Sequence, residues 1–146
     1  MNEGTMREKE FEVFEALSDR KSHERAMSLD IRQVVVELVD MLGLSLVAVI
    51  AGVGETRAVQ QWMKDREPQR PQVLRFAFQV ALMITESTDG SVARAWFQGS
   101  NPQLGDMTPA LMLRNRPLEE VQGTIVAAAR GFAARLPNEN PRINSL

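Results

Sequence analysis

The middle of the chain carries side chains whose types suit contacts with DNA. Arginine can donate two hydrogen bonds to guanine and glutamine can pair with adenine, while lysine and threonine suit phosphates. One face of a predicted helix collects these types: Thr56, Arg57, Gln60, Gln61 and Lys64. Arg70 and Gln69, in the loop that follows, are further candidates for phosphate contacts. We expect these residues to contact DNA, and the alternative is an ordinary solvated helix face.

A helix-turn-helix over residues 46–62 would position this face. Ala48 is small enough to let a second helix pack closely on the first, and Gly52, four residues later, enables the turn. The inward side of the second helix is predicted to be Val53, Val59 and Trp62. The turn is one residue longer than the commonest pattern, which would re-aim the second helix.

The distribution of charge agrees with this location. The chain has a formal net charge of -2, so it is not basic overall. Residues 44–80 carry five Lys or Arg and three Asp or Glu, whereas residues 1–43 carry six and ten, and residues 81–146 carry six of each. A nucleic-acid contact surface would therefore have to lie in the middle segment.

Apolar periodicity predicts an all-α fold, with a helix-turn-helix bundle over residues 30–88. In the extension of residues 1–29, Phe11, Phe14 and Leu17 predict one amphipathic helix, and the polar residues 18–28 are expected to connect it to the bundle. Within the bundle we expect a helix closed by Gly43, one over 46–51 capped by Ser45, one over 57–66 capped by Thr56, and one opened by Pro71. The buried face of the last is predicted to be Val73, Phe76, Ala77, Val80 and Ile84.

A small helical module is predicted over residues 89–136. Asp89 and Gly90 suit a turn, and Ser91 is the expected cap of a helix that holds Trp96. A loop over 99–105 follows, and Thr108-Pro109 opens a short helix. The last long helix begins near residue 117, and its apolar stripe is Leu118, Val121, Ile125, Ala128 and Phe132. Residues 137–146 are expected to form an extended tail.

Composition argues against an enzyme and against a secreted or membrane protein. The chain has no cysteine, one histidine (His23) and no glycine-rich phosphate loop after a strand, so we expect neither a metal nor a cofactor. The N-terminal residues are mostly charged, unlike a signal peptide. The apolar stretch over 34–53 is interrupted by Glu37 and Asp40, so it is too short to span a bilayer. A cytoplasmic location is expected.

The second half of the chain carries an ordered set of loop and cap residues. In order, these are Trp96, Asn101-Pro102, Leu104-Gly105, Thr108-Pro109, Leu111, Leu113, Pro117 and Val121. With the preceding helix-turn-helix, this pattern resembles the Xre–MbcA–ParS antitoxin family over roughly residues 31–133. The extension over residues 1–29 and the tail after residue 136 are departures from the shorter family members.

The resemblance implies a function. Family members pair with a RES-domain toxin, an enzyme that consumes NAD; their C-terminal module binds the toxin close to its NAD pocket, and their N-terminal half often binds DNA for autoregulation. It implies here a type II antitoxin that covers the toxin sterically and acts as a homodimer or larger hetero-oligomer. The expected toxin contacts are Met107, Leu111, Met112, Arg114, Arg116 and Phe132. The alternative is a stand-alone transcriptional regulator that uses the module for oligomerisation.

Overall fold

The computed structural model describes residues 19–86 and 88–136, and in these residues the regular secondary structure is helical. The all-α prediction is therefore confirmed for the described chain. Residues 19–28 form α1. The remaining helices are α2 (Ile31–Leu42), α3 (Leu44–Ala51), α4 (Thr56–Trp62), α5 (Pro71–Thr85), α6 (Gly90–Gln98), a 3-10 helix (Pro102–Leu104), α7 (Pro109–Asn115) and α8 (Leu118–Arg135).

Helix α1 corrects the prediction that residues 18–28 are a polar connection. Ser22 and Ala26, one helical turn apart, are 8% and 1% exposed, so a short inward face exists although it is not strongly apolar. Arg130 of α8 donates from Nε and Nη2 to the Asp19 carboxylate over 2.9 and 2.6 Å. Contacts with distant side chains thus stabilise a helix that apolar periodicity does not reveal. The predicted helix of Phe11, Phe14 and Leu17 lies outside the described residues.

The predicted helix boundaries agree with the structure only in part. Gly43 has the positive φ of 86° that its role as a helix end requires. Ser45, Thr56 and Ser91, the predicted caps, are instead the first or second residues of their helices. The cap of α6 is Asp89, whose carboxylate accepts from the Ser91 amide over 2.9 Å. Helices α3 and α4 have no side-chain cap hydrogen bond.

The core centres on α5. All five predicted inward residues of this helix are buried: Val73, Phe76, Ala77, Val80 and Ile84. Helix α5 packs against α2, α3, α6 and α8, and α3 packs against α7. Buried side chains from both sides of residue 88 consequently belong to one hydrophobic cluster. The bundle and the module predicted from the sequence therefore share a core.

No helix in residues 19–86 and 88–136 combines the length and the apolar character that a bilayer crossing needs.

Candidate functional site

Helix α4 and the turn after it carry five of the predicted DNA-contact residues. Thr56, Arg57, Gln60 and Lys64 are exposed, and Gln61 is half-buried. On the opposite side Val59 and Trp62 are buried, as predicted, at 0% and 7% exposure. The helix ends at Trp62, short of the predicted end at residue 66, so Lys64 lies in the following turn. We call these five exposed or half-exposed residues the α4 face.

The turn between α3 and α4 comprises residues 52–55. Gly52 adopts the left-handed conformation, with φ 82° and ψ 22°, and its amide donates to the carbonyls of Ala48 and Val49 over 3.1 Å each. The Val53 amide also donates to the Ala48 carbonyl, over 3.1 Å. Because glycine adopts this conformation without strain, Gly52 allows the chain to reverse direction immediately after α3. The turn fixes where the α4 face points.

Arg114 of α7 reaches the C-terminal end of α3. Its Nη1 donates to the carbonyl oxygens of Ala48, Val49 and Val53 over 3.3, 3.1 and 3.2 Å. The Ala48 and Val49 carbonyls already accept from amides of the turn, so Arg114 adds a charged donor to them. A cation there also suits the negative end of the helix dipole. Arg114 was predicted to contact a toxin, but its guanidinium is hydrogen-bonded inside this molecule.

Arg70 makes a second connection, from the residue before α5 to the end of α7. Its Nη2 donates to the Leu113 carbonyl near the end of α7 over 3.0 Å. Its Nη1 lies over the turn, 3.3 Å from where a Cβ on Gly52 would be. Arg70 was predicted to contact phosphate, and the structure instead places it between α7 and the α3–α4 turn. We call Arg70 and Arg114 the arginine pair.

The other predicted toxin contacts are divided between the surface and the core. Leu111 is 44% exposed and Arg116 is exposed, whereas Met107 and Phe132 are half-buried. Met112 is 5% exposed and belongs to the core cluster, so it offers a partner almost no surface. We call the exposed residues Leu111 and Arg116 the α7 surface.

The loop before α7 is held by hydrogen bonds from residues that carry the family resemblance. The Asn101 side chain accepts from the Gln103 amide over 2.9 Å, and the Asn101 carbonyl accepts from the amides of Leu104 and Asp106 over 2.9 Å each. Gly105 has a positive φ of 64°. Part of the segment predicted as a loop is thereby wound into a 3-10 helix. The Thr108 hydroxyl then accepts from the Leu111 amide over 3.1 Å and caps α7 as predicted.

A cleft of about 540 Å³ lies between α6, residues 99–102 and the C-terminal part of α8. Trp96 and Phe132 line it, with ring centroids 6.3 Å apart. Arg135 lines it as well, and sequence reasoning did not single out this residue. Arg135 lies three residues after Phe132 on α8, and this helical spacing predicts that the two side chains are neighbours.

Titratable residues of the described chain do not assemble into a metal centre. In residues 19–86 and 88–136 no group of three or more His, Cys, Asp or Glu side chains is arranged to hold a metal ion. The candidate site proposed for this chain consists of the α4 face and the α7 surface, with the arginine pair between them.

Comparison with known proteins does not assign this arrangement to a family. The resemblance noted above depends on the residues named for it. No family model, no curated protein and no solved structure matches the chain.

Proposed function

We propose that this chain is the antitoxin of a type II toxin–antitoxin pair. It binds an NAD-consuming RES-domain toxin, covers the toxin's active site sterically and binds the DNA of its own operon. The observation that carries the proposal is the ordered run from Trp96 to Thr108-Pro109, because these residues form a capped loop that presents one short helix. This surface is proposed to contact the toxin.

The α7 surface has the composition expected of a contact with another protein. Binding sites of this kind combine an apolar centre with a polar rim, and arginine is enriched in them. Leu111 supplies exposed apolar area and Arg116 a charged neighbour. Both lie on or directly after the helix that the capped loop presents. The partner contact is therefore proposed to centre on Leu111.

The α4 face supports the DNA-binding half of the proposal. It groups two cationic side chains, Arg57 and Lys64, with two glutamines, and its inner side is anchored by the buried Val59 and Trp62. A fixed helix with this outer face has the residue types that bind bases and phosphates in the major groove. DNA binding here would allow the antitoxin to repress its own operon.

Co-expression with the product of the adjacent gene tests the proposal. The full chain should co-purify with that protein and suppress its NAD-consuming activity. Leu111→Asp should lower the affinity at least tenfold, since it places a charge in the apolar centre of the contact. Val36→Asp is the matched control, because Val36 of α2 is 42% exposed, close to the 44% of Leu111.

Two results would contradict the proposal. If the neighbouring gene product neither co-purifies nor consumes NAD, the antitoxin function fails. If the chain then still binds the DNA upstream of its gene, it is a stand-alone regulator. If Val36→Asp and Leu111→Asp weaken the complex equally, the contact is not centred on α7.

A further inference from the structure

Arg70 and Arg114, the arginine pair, each connect α7, which carries one proposed contact surface, with the α3–α4 turn, which precedes the other. Arg114 extends from α7 to the end of α3, and Arg70 extends from the residue before α5 to the end of α7. Both guanidinium groups meet the α3–α4 turn, one through the Val53 carbonyl and the other over Gly52. The hydrogen bonds that Arg114 makes span 61 to 66 residues of sequence.

This geometry connects α7 to the end of α3 and to the turn that precedes α4. Helix α4 follows α3 after four residues, so the last turn of α3 sets its direction. Three carbonyls in and after that turn share one guanidinium nitrogen, and hydrogen bonds with a charged donor are stronger than neutral ones. Leu111 and Arg114 belong to the same seven-residue helix. A partner that displaces α7 through Leu111 must therefore also displace Arg114.

We propose that Arg70 and Arg114 are positioning residues that link the α7 surface to the α4 face, so that a protein bound at α7 changes the affinity of α4 for DNA. The regulatory part rests on the proposed function, because it requires both surfaces to bind. The mechanical link, by which the two arginines connect α7 to the α3–α4 turn, does not depend on the proposed function. Such coupling is reciprocal, so DNA bound at α4 changes the affinity of α7 for its partner by the same factor.

Amide hydrogen exchange of the free protein tests the mechanical link. Arg114→Ala should accelerate exchange in residues 53–62 at least about tenfold, because the end of α3 loses its charged donor. Arg75→Ala is the matched control: Arg75 donates from Nη1 to the carbonyls of Ala26 and Leu29 over 2.9 and 2.7 Å, which is an equivalent bond at the end of α1. Arg75→Ala should accelerate amide exchange in residues 19–30 and leave exchange in residues 53–62 unchanged.

Arg114→Lys is the second variant and is used if Arg114→Ala does not fold. Lysine keeps the cation but lacks the planar fork of donors, so exchange in residues 53–62 should lie between wild type and Arg114→Ala. The link is overturned if Arg114→Lys exchanges as wild type does in this segment. It is also overturned if Arg75→Ala accelerates the segment as much as the Arg114 variants do, since the effect would then be general destabilisation.

A DNA titration with and without the neighbouring gene product tests the regulatory part. The readout is the ratio of the two dissociation constants for a labelled fragment from upstream of the gene. Wild type should give a ratio of at least about fivefold, the lower end of typical coupling. In Arg114→Lys the ratio should fall below the wild-type value, and in Arg75→Ala it should stay at the wild-type value.

The failures of the two proposals are distinguishable. If wild type binds neither DNA nor the neighbouring product, the proposed function fails, and the exchange experiment alone decides the link. If wild type binds both with a ratio near one, or if Arg114→Lys keeps the wild-type ratio, the inference is wrong although the proposed function stands.

Discussion

The arginines have different roles in this molecule, and the hydrogen bonds that each side chain makes distinguish these roles. Arg32 donates to the Lys64 carbonyl just after α4 over 2.9 Å, as Arg75 and the arginine pair do at other helix ends. A guanidinium suits this role because it has five donors and keeps its charge. Within the described chain Arg57 and Arg116 make no such bond and are exposed. Both side chains are therefore available to contact other molecules.

The first prediction concerns base recognition by the α4 face. Arg57→Ala and Gln61→Ala should each weaken binding to DNA from upstream of the gene by about 1–3 kcal/mol, since each would remove hydrogen bonds to a base. Fluorescence anisotropy with a labelled duplex measures the affinity. Gln33→Ala, at an exposed position of α2, is the control and should bind as wild type does. Unchanged affinity in both α4 variants would exclude this helix as the recognition element.

The second prediction concerns Asp89. The hydroxyl and the amide of Ser91 donate to its carboxylate and hold the pKa of this group below its ordinary value of 3.8. A carboxyl with a lowered pKa stabilises the fold above its unfolded pKa, and the contribution is lost as the pH falls through its folded pKa. Asp89→Ala should therefore melt below wild type at neutral pH.

The difference in melting temperature between wild type and Asp89→Ala should narrow as the pH falls below about 4. Thermal melts followed by circular dichroism across this range measure it. Asp89→Asn keeps a neutral hydrogen-bond acceptor but cannot ionise. It therefore separates the contribution of the carboxylate charge from that of the capping hydrogen bond. A difference that stays constant between neutral and acidic pH would show that the carboxylate charge does not matter at this cap.

Among the elements, α7 shows most clearly how local sequence determines a helix. Thr108 accepts from the third amide of the helix and Pro109 occupies the first position, where its missing amide costs nothing. The preceding 3-10 helix is set in the same way by Asn101 and Gly105. These elements begin and end at residues that are close in sequence, so the start of α7 is encoded locally.

The third prediction tests this local encoding. Thr108→Ala should lower the free energy of unfolding by about 1 kcal/mol, because the Leu111 amide loses its acceptor. Thr108→Ser keeps the acceptor and should cost less. Urea denaturation measures both. Thr124→Ala, on the exposed side of α8, is the control and should change stability by less than about 0.5 kcal/mol.

Local signals also explain which elements could be predicted from the sequence. The periodic apolar face of α5, the end of α2 at Gly43 and the start of α7 all depend on near neighbours, and the structure confirms them. Helix α1 depends on Arg75 and Arg130, which lie far along the chain, so apolar periodicity missed it. The arginine pair was assigned to binding for the same reason: a cation that caps a distant helix has the same local sequence context as a cation at a surface.

At the scale of the whole molecule, the two predicted units are not separate bodies. Helix α5 packs against α2 and α3 on one side of residue 88 in the sequence and against α6 and α8 on the other. Buried residues such as Phe78 and Phe97 are 0% exposed and belong to the same cluster. Each unit therefore completes the core of the other.

The fourth prediction follows from the shared core. Residues 30–88 and residues 89–136, produced as separate polypeptides, should each fail to unfold cooperatively. Each newly exposed large apolar side chain costs about 1.5–3 kcal/mol, and a domain has only about 5–15 kcal/mol of stability. Circular dichroism of each fragment and of their equimolar mixture measures this, and the mixture should regain helical signal. A cooperative melt of residues 30–88 alone would contradict the shared core.

The contacts of α1 also bear on how the protein should be produced in the laboratory. A recombinant version trimmed to residue 30, where the predicted bundle begins, would remove the Ala26 and Leu29 carbonyls to which the part-buried Arg75 guanidinium donates. It would also expose the apolar surface that Ala26 covers, on the side of α5 where His23 meets Gln79 at 3.2 Å. Expression boundaries and affinity tags are therefore best placed before residue 19, and a short version that aggregates would reveal a damaged fold rather than an inactive protein.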